Sequence, residues 1–227
     1  MYAVQAERTE GRHRHSEPGL LRFRPARPED AEACAPLIFT SGVREFGFFL
    51  GVLPWTCIEF LEFAFTSKRG RFSYRRHRVA VTDDDRVVAV LAVHDGRQTW
   101  FDDPHVALML LLFFGVRRTV RMLLRGLVLE SELPAPKSSQ TLIAHCATDE
   151  LRRGTGVFSA LFMNALHTGL IHGDGGQQIV LDVLVSNTRA YDLYRRLGFV
   201  ELPRRGPLAQ RLPRELESVR MQFAGRT

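Results

Sequence analysis

Cysteine is scarce and scattered: Cys34, Cys57 and Cys146 lie far apart, with no CxxC pair among them. That spacing excludes a disulfide framework and a structural zinc site, and it suits a reducing cytoplasm. Long apolar runs are missing too. The longest, Val106–Val116, is well short of the roughly 20 residues a membrane-spanning helix needs. No GK[ST] follows a glycine turn, so a P-loop is absent. The N-terminus has no apolar signal core: residues 1–19 are polar, with Arg8, Arg12, His13, Arg14 and His15 among Glu7, Glu10 and Glu17. This stretch reads as a disordered tail, and its acids argue against a transit peptide.

What remains is ordinary globular material, 45% hydrophobic and 25% charged, read as one domain over residues 20–227 because that length fills one substantial core. The net charge of +6 favours an anionic partner. Nearly all of it is arginine, which genome composition also produces, so the charge by itself points to no nucleic-acid partner.

Along the chain, 20–27 alternates as a strand and Pro28-Glu29-Asp30 opens a helix through Ala31–Phe39. The segment Val43–Phe65 is dense in aromatics, and Trp55–Phe65 reads as a second helix. Lys68–Arg78 is a basic loop. His77–Thr82 and Arg86–His94, joined by Asp83-Asp84-Asp85, form a hairpin signal. Val106–Val116 and the arginines after it read as a helix or helical hairpin, and Leu133–Ser139 as a linker. Then follow a strand at Thr141–Thr148, a helix at Gly154–Leu170, a strand at Ile179–Val185, and a helix at Asn187–Leu197 ended by Gly198. Phe199–Pro203 and Ser218–Phe223 close the chain as a strand pair.

The first chemical signal is the turn Arg153-Gly-Thr-Gly-Val-Phe158, set between a strand and an amphipathic helix. Such a turn aims several backbone N–H groups, at the positive end of a helix dipole, toward one spot. Glycine lets a ligand approach the backbone closely, and a pyrophosphate is the natural guest. The dinucleotide fingerprint is incomplete, since Ser159 stands at its third glycine and Asp182 lies mid-strand.

About thirty residues later comes Asn187-Thr-Arg-Ala-Tyr-Asp-Leu-Tyr-Arg-Arg-Leu-Gly-Phe199. Its pattern, N-x-x-A-x-x-L-Y-x-x-x-G-F, resembles the fifth strand and following helix of the GNAT acyltransferases, and the glycine turn then resembles that family's [QR]-x-x-G-x-[GA] pyrophosphate motif. The likeness is specific over 141–199, plausible over 20–95 and 199–224, and does not cover 96–132. It implies an α/β fold: a mixed twisted sheet of six to seven strands, helices on both faces, and a helical insertion at about 104–130. Two registers of the turn fit. One runs Leu151–Gly156 and loses the Gln/Arg; the other, preferred, runs Arg153–Phe158 and puts Phe158 where the family has a small residue.

The resemblance implies an amine attacking the thioester of acetyl-CoA, or another short acyl-CoA, without a metal. Tyr194 matches the tyrosine that protonates the leaving sulfur; as a packing residue it would face Leu193 and Leu197. Asn187 matches the motif asparagine that can bond the pantetheine arm, and it is equally a helix N-cap. Backbone groups of Cys146, Ala147 and Thr148 should meet that arm like an added strand, with an N–H for the oxyanion; the Cys146 thiol reads as inert packing. The cofactor set is completed by Arg153, Gly154, Thr155, Gly156, Val157 and Phe158. No carboxylate lies on Thr141–Cys146 to act as base. His145, Glu130, Glu132 or a water chain remain, and His145 has the titration range for the task.

The aromatic 43–65 segment suggests an apolar acceptor pocket or plain core. Residues 106–129 suggest a helix covering the sheet with Arg118, Arg121 and Arg125 solvated; a lid, a homodimer contact or a membrane-surface element are the alternatives. The acceptor, a small-molecule or protein amine, is not specified. A non-catalytic acyl-CoA sensor of the same fold and a nucleotide-binding module stand as rival functions.

Overall fold

A computed structural model describes residues 21–98, 102–171, 177–204, 206 and 210–225. The tail expected at 1–19 lies outside the described residues. Seven strands form one sheet: β1 (Arg22–Pro25), β2 (His77–Val81), β3 (Val87–Asp95), β4 (Gln140–Thr148), β5 (Gln178–Leu184), β6 (Phe199–Glu201) and β7 (Ser218–Phe223). Their spatial order is β1-β2-β3-β4-β5-β7-β6. Among the described residues only β4 and β5 run parallel; the other pairs are antiparallel.

Seven α-helices accompany the strands among the described residues: α1 (Ala31–Ser41), α2 (Val43–Leu50), α3 (Pro54–Phe65), α4 (Asp102–Phe114), α5 (Val116–Glu130), α6 (Val157–His167) and α7 (Thr188–Leu197). The period-two alternation of the strands feeds two cores. Val79, Val81 and Val90 turn to the face covered by α1 and α3. Ala80, Leu91, Ile143 and Leu181 turn to the face covered by α6 and α7. Among the described residues no single helix is long and apolar enough to cross a membrane.

Three local features set up the site. After Gln140–Leu142 pairs with Gln178–Val180, β4 and β5 part, and the second half of β4 loses its parallel neighbour. In the same half, Val90 faces Ala147 and Ala92 faces Ala144, so Leu91 alone opposes His145 and Cys146. This is a bulge, and its first residue, His145, adopts φ 51°, a left-handed backbone uncommon outside glycine. On the far side of β5, Arg220 of β7 bonds both carboxylate oxygens of the mid-strand Asp182 at 2.8 and 2.7 Å and reaches the Pro134 carbonyl in the linker before β4.

The expected insertion is a hairpin of α4 and α5, hinged at Gly115 (φ 75°). It differs from expectation in how it faces. It packs on α2 rather than over the sheet, and its arginines are not all solvated. Arg125 turns inward, its Nη1 3.4 and 3.5 Å from the Phe48 and Phe49 carbonyls, where it closes the C-terminal end of α2 as a cation should. Val116, Val120 and Leu124 point outward instead, each more than half exposed. Helix α2 was not foreseen as a separate element: eight residues with a central Gly47 carry little intrinsic helix preference, and tertiary packing holds them.

Candidate active site

Two cavities open on either side of the bulged stretch of β4. The first, about 530 Å³, is lined by Cys146, Ala147, Thr148 and the glycine turn on one side and by α7 on the other. Asp149 starts the turn by accepting from Leu151 N (3.0 Å). Gly154 and Gly156 both take left-handed backbone, φ 81° and 83°. A Cβ at Gly156 would point into open space, whereas one at Gly154 would approach the Arg189 guanidinium at 3.9 Å. Helix α6 starts at Val157, so the N–H groups of its first turn have no partner within the helix.

Most of the residues expected to hold the cofactor line this cleft: Cys146, Ala147, Thr148, Arg153, Gly154, Gly156, Val157, Phe158, Asn187 and Tyr194. Thr155 does not; its hydroxyl donates to the Arg152 carbonyl (2.7 Å). Phe158 does not fill the turn, because its ring is buried against Tyr194, centroids 6.2 Å apart. The sequence reading missed Arg152, Arg189 and Arg196, which also line the cleft. Arg189 and Arg196 are seven residues apart on a helix and so share a face, a signal that was there to be used. Four guanidiniums, two left-handed glycines and free helix-end amides fit the pyrophosphate and phosphate of coenzyme A.

Asn187 caps α7 through its side-chain oxygen, which accepts from Ala190 N (3.2 Å) and leaves its NH₂ for another partner. Tyr194 is buried between Phe158 and Phe199. Burial, with the adjacent Cys146, raises its phenol well above the usual value, so it holds its proton throughout the physiological range. Burial likewise pushes the Cys146 thiol up to about 12; it is no nucleophile.

The second cavity, about 300 Å³, lies among α2, α5 and the bulge, with Phe46, Phe49 and Phe72 in its walls and His145 at its edge. His145 belongs to a group of three imidazoles that the sequence scatters across β2, β3 and β4. His77 Nδ1 lies 2.8 Å from the Ser73 carbonyl and its Nε2 lies 2.9 Å from His145 Nδ1. The protons on this chain follow from the chemistry. A carbonyl can only accept, so His77 carries its proton on Nδ1 and its Nε2 is an acceptor. His145 must then donate from Nδ1, and its Nε2 is left with a lone pair. All three rings are neutral. Burial lowers His77 to about 4; burial, then His77 and Arg71, holds His145 well below its usual value; and burial, then His145, does the same to His94. Both nitrogens of His94 are buried without a partner.

The other base candidates separate cleanly. Glu132 is structural: it accepts from Arg204 at 2.7 Å and from Ser218 N at 2.7 Å. Glu130 lines the second cavity together with Glu45, whose carboxyl burial raises above its normal value.

Residues 53–199 match the family model described as Acetyltransferase (GNAT) family. No curated protein matches. Among solved structures, an N-acetyltransferase from Staphylococcus aureus Mu50 superposes with TM-score 0.66 at 16% identity, covering 89% of this chain and all of its own. A protein titled histone acetyltransferase HPA2 and related acetyltransferase, from Corynebacterium glutamicum ATCC 13032, gives 0.56 at 21%, covering 91% of this chain and 97% of that one. At such identities the likeness establishes the fold.

Proposed function

Because the chain belongs to the acetyltransferase (GNAT) family, we propose that it is an N-acyltransferase that moves an acetyl group from acetyl-CoA to an amine by direct attack in a ternary complex. One observation supports this above the others. The bulge on β4 gives one neighbouring residue, His145, to the apolar cavity and the next three, Cys146–Thr148, to the cationic cleft. Donor and acceptor ligands filling these two spaces would meet across that bulge.

Acetyl-CoA supplies an activated acetyl thioester. The glycine turn and Arg152, Arg153, Arg189 and Arg196 hold its phosphates, and the unpaired edge of β4 at Cys146–Thr148 takes its pantetheine arm as a strand would. A backbone N–H on that edge faces the carbonyl oxygen as charge builds on it. The amine nitrogen forms the new C–N bond and gives up a proton to His145 Nε2, which has the lone pair and the neutral state for it. As the C–S bond breaks, Tyr194 passes its phenolic proton to the sulfur, and it regains one from solvent. The products are an amide and free coenzyme A.

The test is release of coenzyme A thiol from acetyl-CoA with a panel of amines. Tyr194→Phe is expected to lower kcat by about 10²–10⁴-fold while acetyl-CoA still raises the melting temperature. Unchanged turnover in that variant refutes its role as the acid. Tight acetyl-CoA binding with no transfer to any amine refutes the enzyme and favours the sensor.

A further inference from the structure

We infer that the acceptor is a small amine with a single positive charge on an apolar, ring-sized body, bound in the 300 Å³ cavity with its nitrogen toward His145. This inference rests on the acyl-transfer reading above and goes beyond it to a substrate class.

The walls argue for it first. Phe46 and Phe49 come from α2 and Phe72 from the loop before β2, and α5 adds Leu123 and Leu127. The rings form a connected cage: Phe46 to Phe72 6.1 Å, Phe46 to His145 6.1 Å, and Phe72 stacked on His145 at 5.6 Å and 16°. Offset ring contacts of this kind welcome another flat apolar group. Leu123 and Leu127 are 37% and 66% exposed, so a bound apolar body would take surface out of water that the fold itself leaves wet. Gly126 keeps the wall thin: a Cβ there would press on the Phe49 ring at 3.1 Å.

Charge narrows the class further. Two carboxylates, Glu45 and Glu130, line the cavity, together with one guanidinium, Arg71. That balance suits one ammonium, which Glu45 or Glu130 meets on entry and which loses a proton before attack. A polyamine would bring two or three more cations into walls of phenylalanine and leucine beside Arg71, and an uncompensated buried charge costs several kcal/mol. A lysine on a protein presents only a slender chain of methylenes, which leaves the ring cage unfilled.

Acetyl-CoA turnover with 2-phenylethylamine, spermidine and a lysine-containing peptide tests the inference, scored as kcat/KM with acetyl-CoA-induced melting shifts alongside. 2-Phenylethylamine is expected to exceed the other two by about a hundredfold. Leu127→Glu, on an exposed position that leaves the fold intact, should raise its KM about tenfold with little change in kcat. Spermidine or the peptide turning over as well as 2-phenylethylamine overturns this inference and leaves the acyltransferase standing. A melting shift without turnover of any of the three overturns this inference alone, because only the wider amine panel bears on the acyltransferase; the absence of both shift and turnover overturns both.

Discussion

His145 has three unusual properties that arise together. It opens a bulge, it takes φ 51°, and it receives its tautomer from His77. The left-handed backbone decides which substitution is informative. Asparagine tolerates that conformation better than other non-glycine residues, so His145→Asn removes the proposed base while keeping the bulge. We expect kcat to fall by about 10²-fold or more, with acetyl-CoA binding retained in calorimetry. The pH dependence has a definite sign. The group is active when unprotonated and its value is depressed, so activity should persist from neutrality to below pH 6.5 and decline only at lower pH. His77→Gln should shift that profile rather than merely scale it. His145 was a visible candidate in the sequence because it sits beside the β4 residues of the family pattern. Its partner was not visible, since His77 is 68 residues away and only the antiparallel order β2-β3-β4 brings the two rings together.

At the level of elements, the clasp between α2 and α5 is where local pattern failed. The spacing of Arg118, Arg121 and Arg125 suggested a solvated basic face, but Arg125 spends its charge on two carbonyls of α2. Gly51, which ends α2 at φ 59°, makes room for it: a Cβ there would lie within 1.7 Å of the Arg125 Nη1. Gly51→Ala should therefore destabilise the protein by about 2 kcal/mol, and Arg125→Ala by about 1 kcal/mol, both measured by urea unfolding. If both variants unfold at the wild-type midpoint, the clasp carries no stability. The glycine turn, in contrast, was legible because its chemistry is local: positive φ, proximity to a helix start and a flanking arginine all lie within six residues. Arginines on α7 escaped notice because each alone looks like an ordinary surface charge.

For the whole molecule, acid should be damaging. His77 is neutral when folded and lowered to about 4, against an ordinary value of 6.5. Between those limits the unfolded chain binds more protons, so stability falls as pH drops through the window and levels off below about pH 4. The slope is about 1.4 kcal/mol per pH unit for that ring alone, steeper if His94 and His145 follow. Chemical denaturation at pH 7.5, 6.0 and 5.0 checks this, and His77→Phe should flatten the trend. The size of the sheet, its helices on both faces and its hairpins could be read from alternation and family pattern, while the full strand order came from the structure. What could not be read were the distances between segments far apart in sequence, which decide protonation and pocket shape.

The parting of β4 and β5 has one more consequence. Among the described residues, three pairs, Gln140–Leu142 with Gln178–Val180, make up the whole strand ladder between one leaf of the sheet and the other. The protein thus resembles a book held by a short spine, with a raw margin of backbone running down the inside of the opened page. Amide protons along that margin, at Cys146–Thr148, should trade with deuterium far sooner than those of β3, and a strand-like guest should slow them. The donor substrate would then serve as binding thread as well as reagent, and the enzyme would be most coherent while at work.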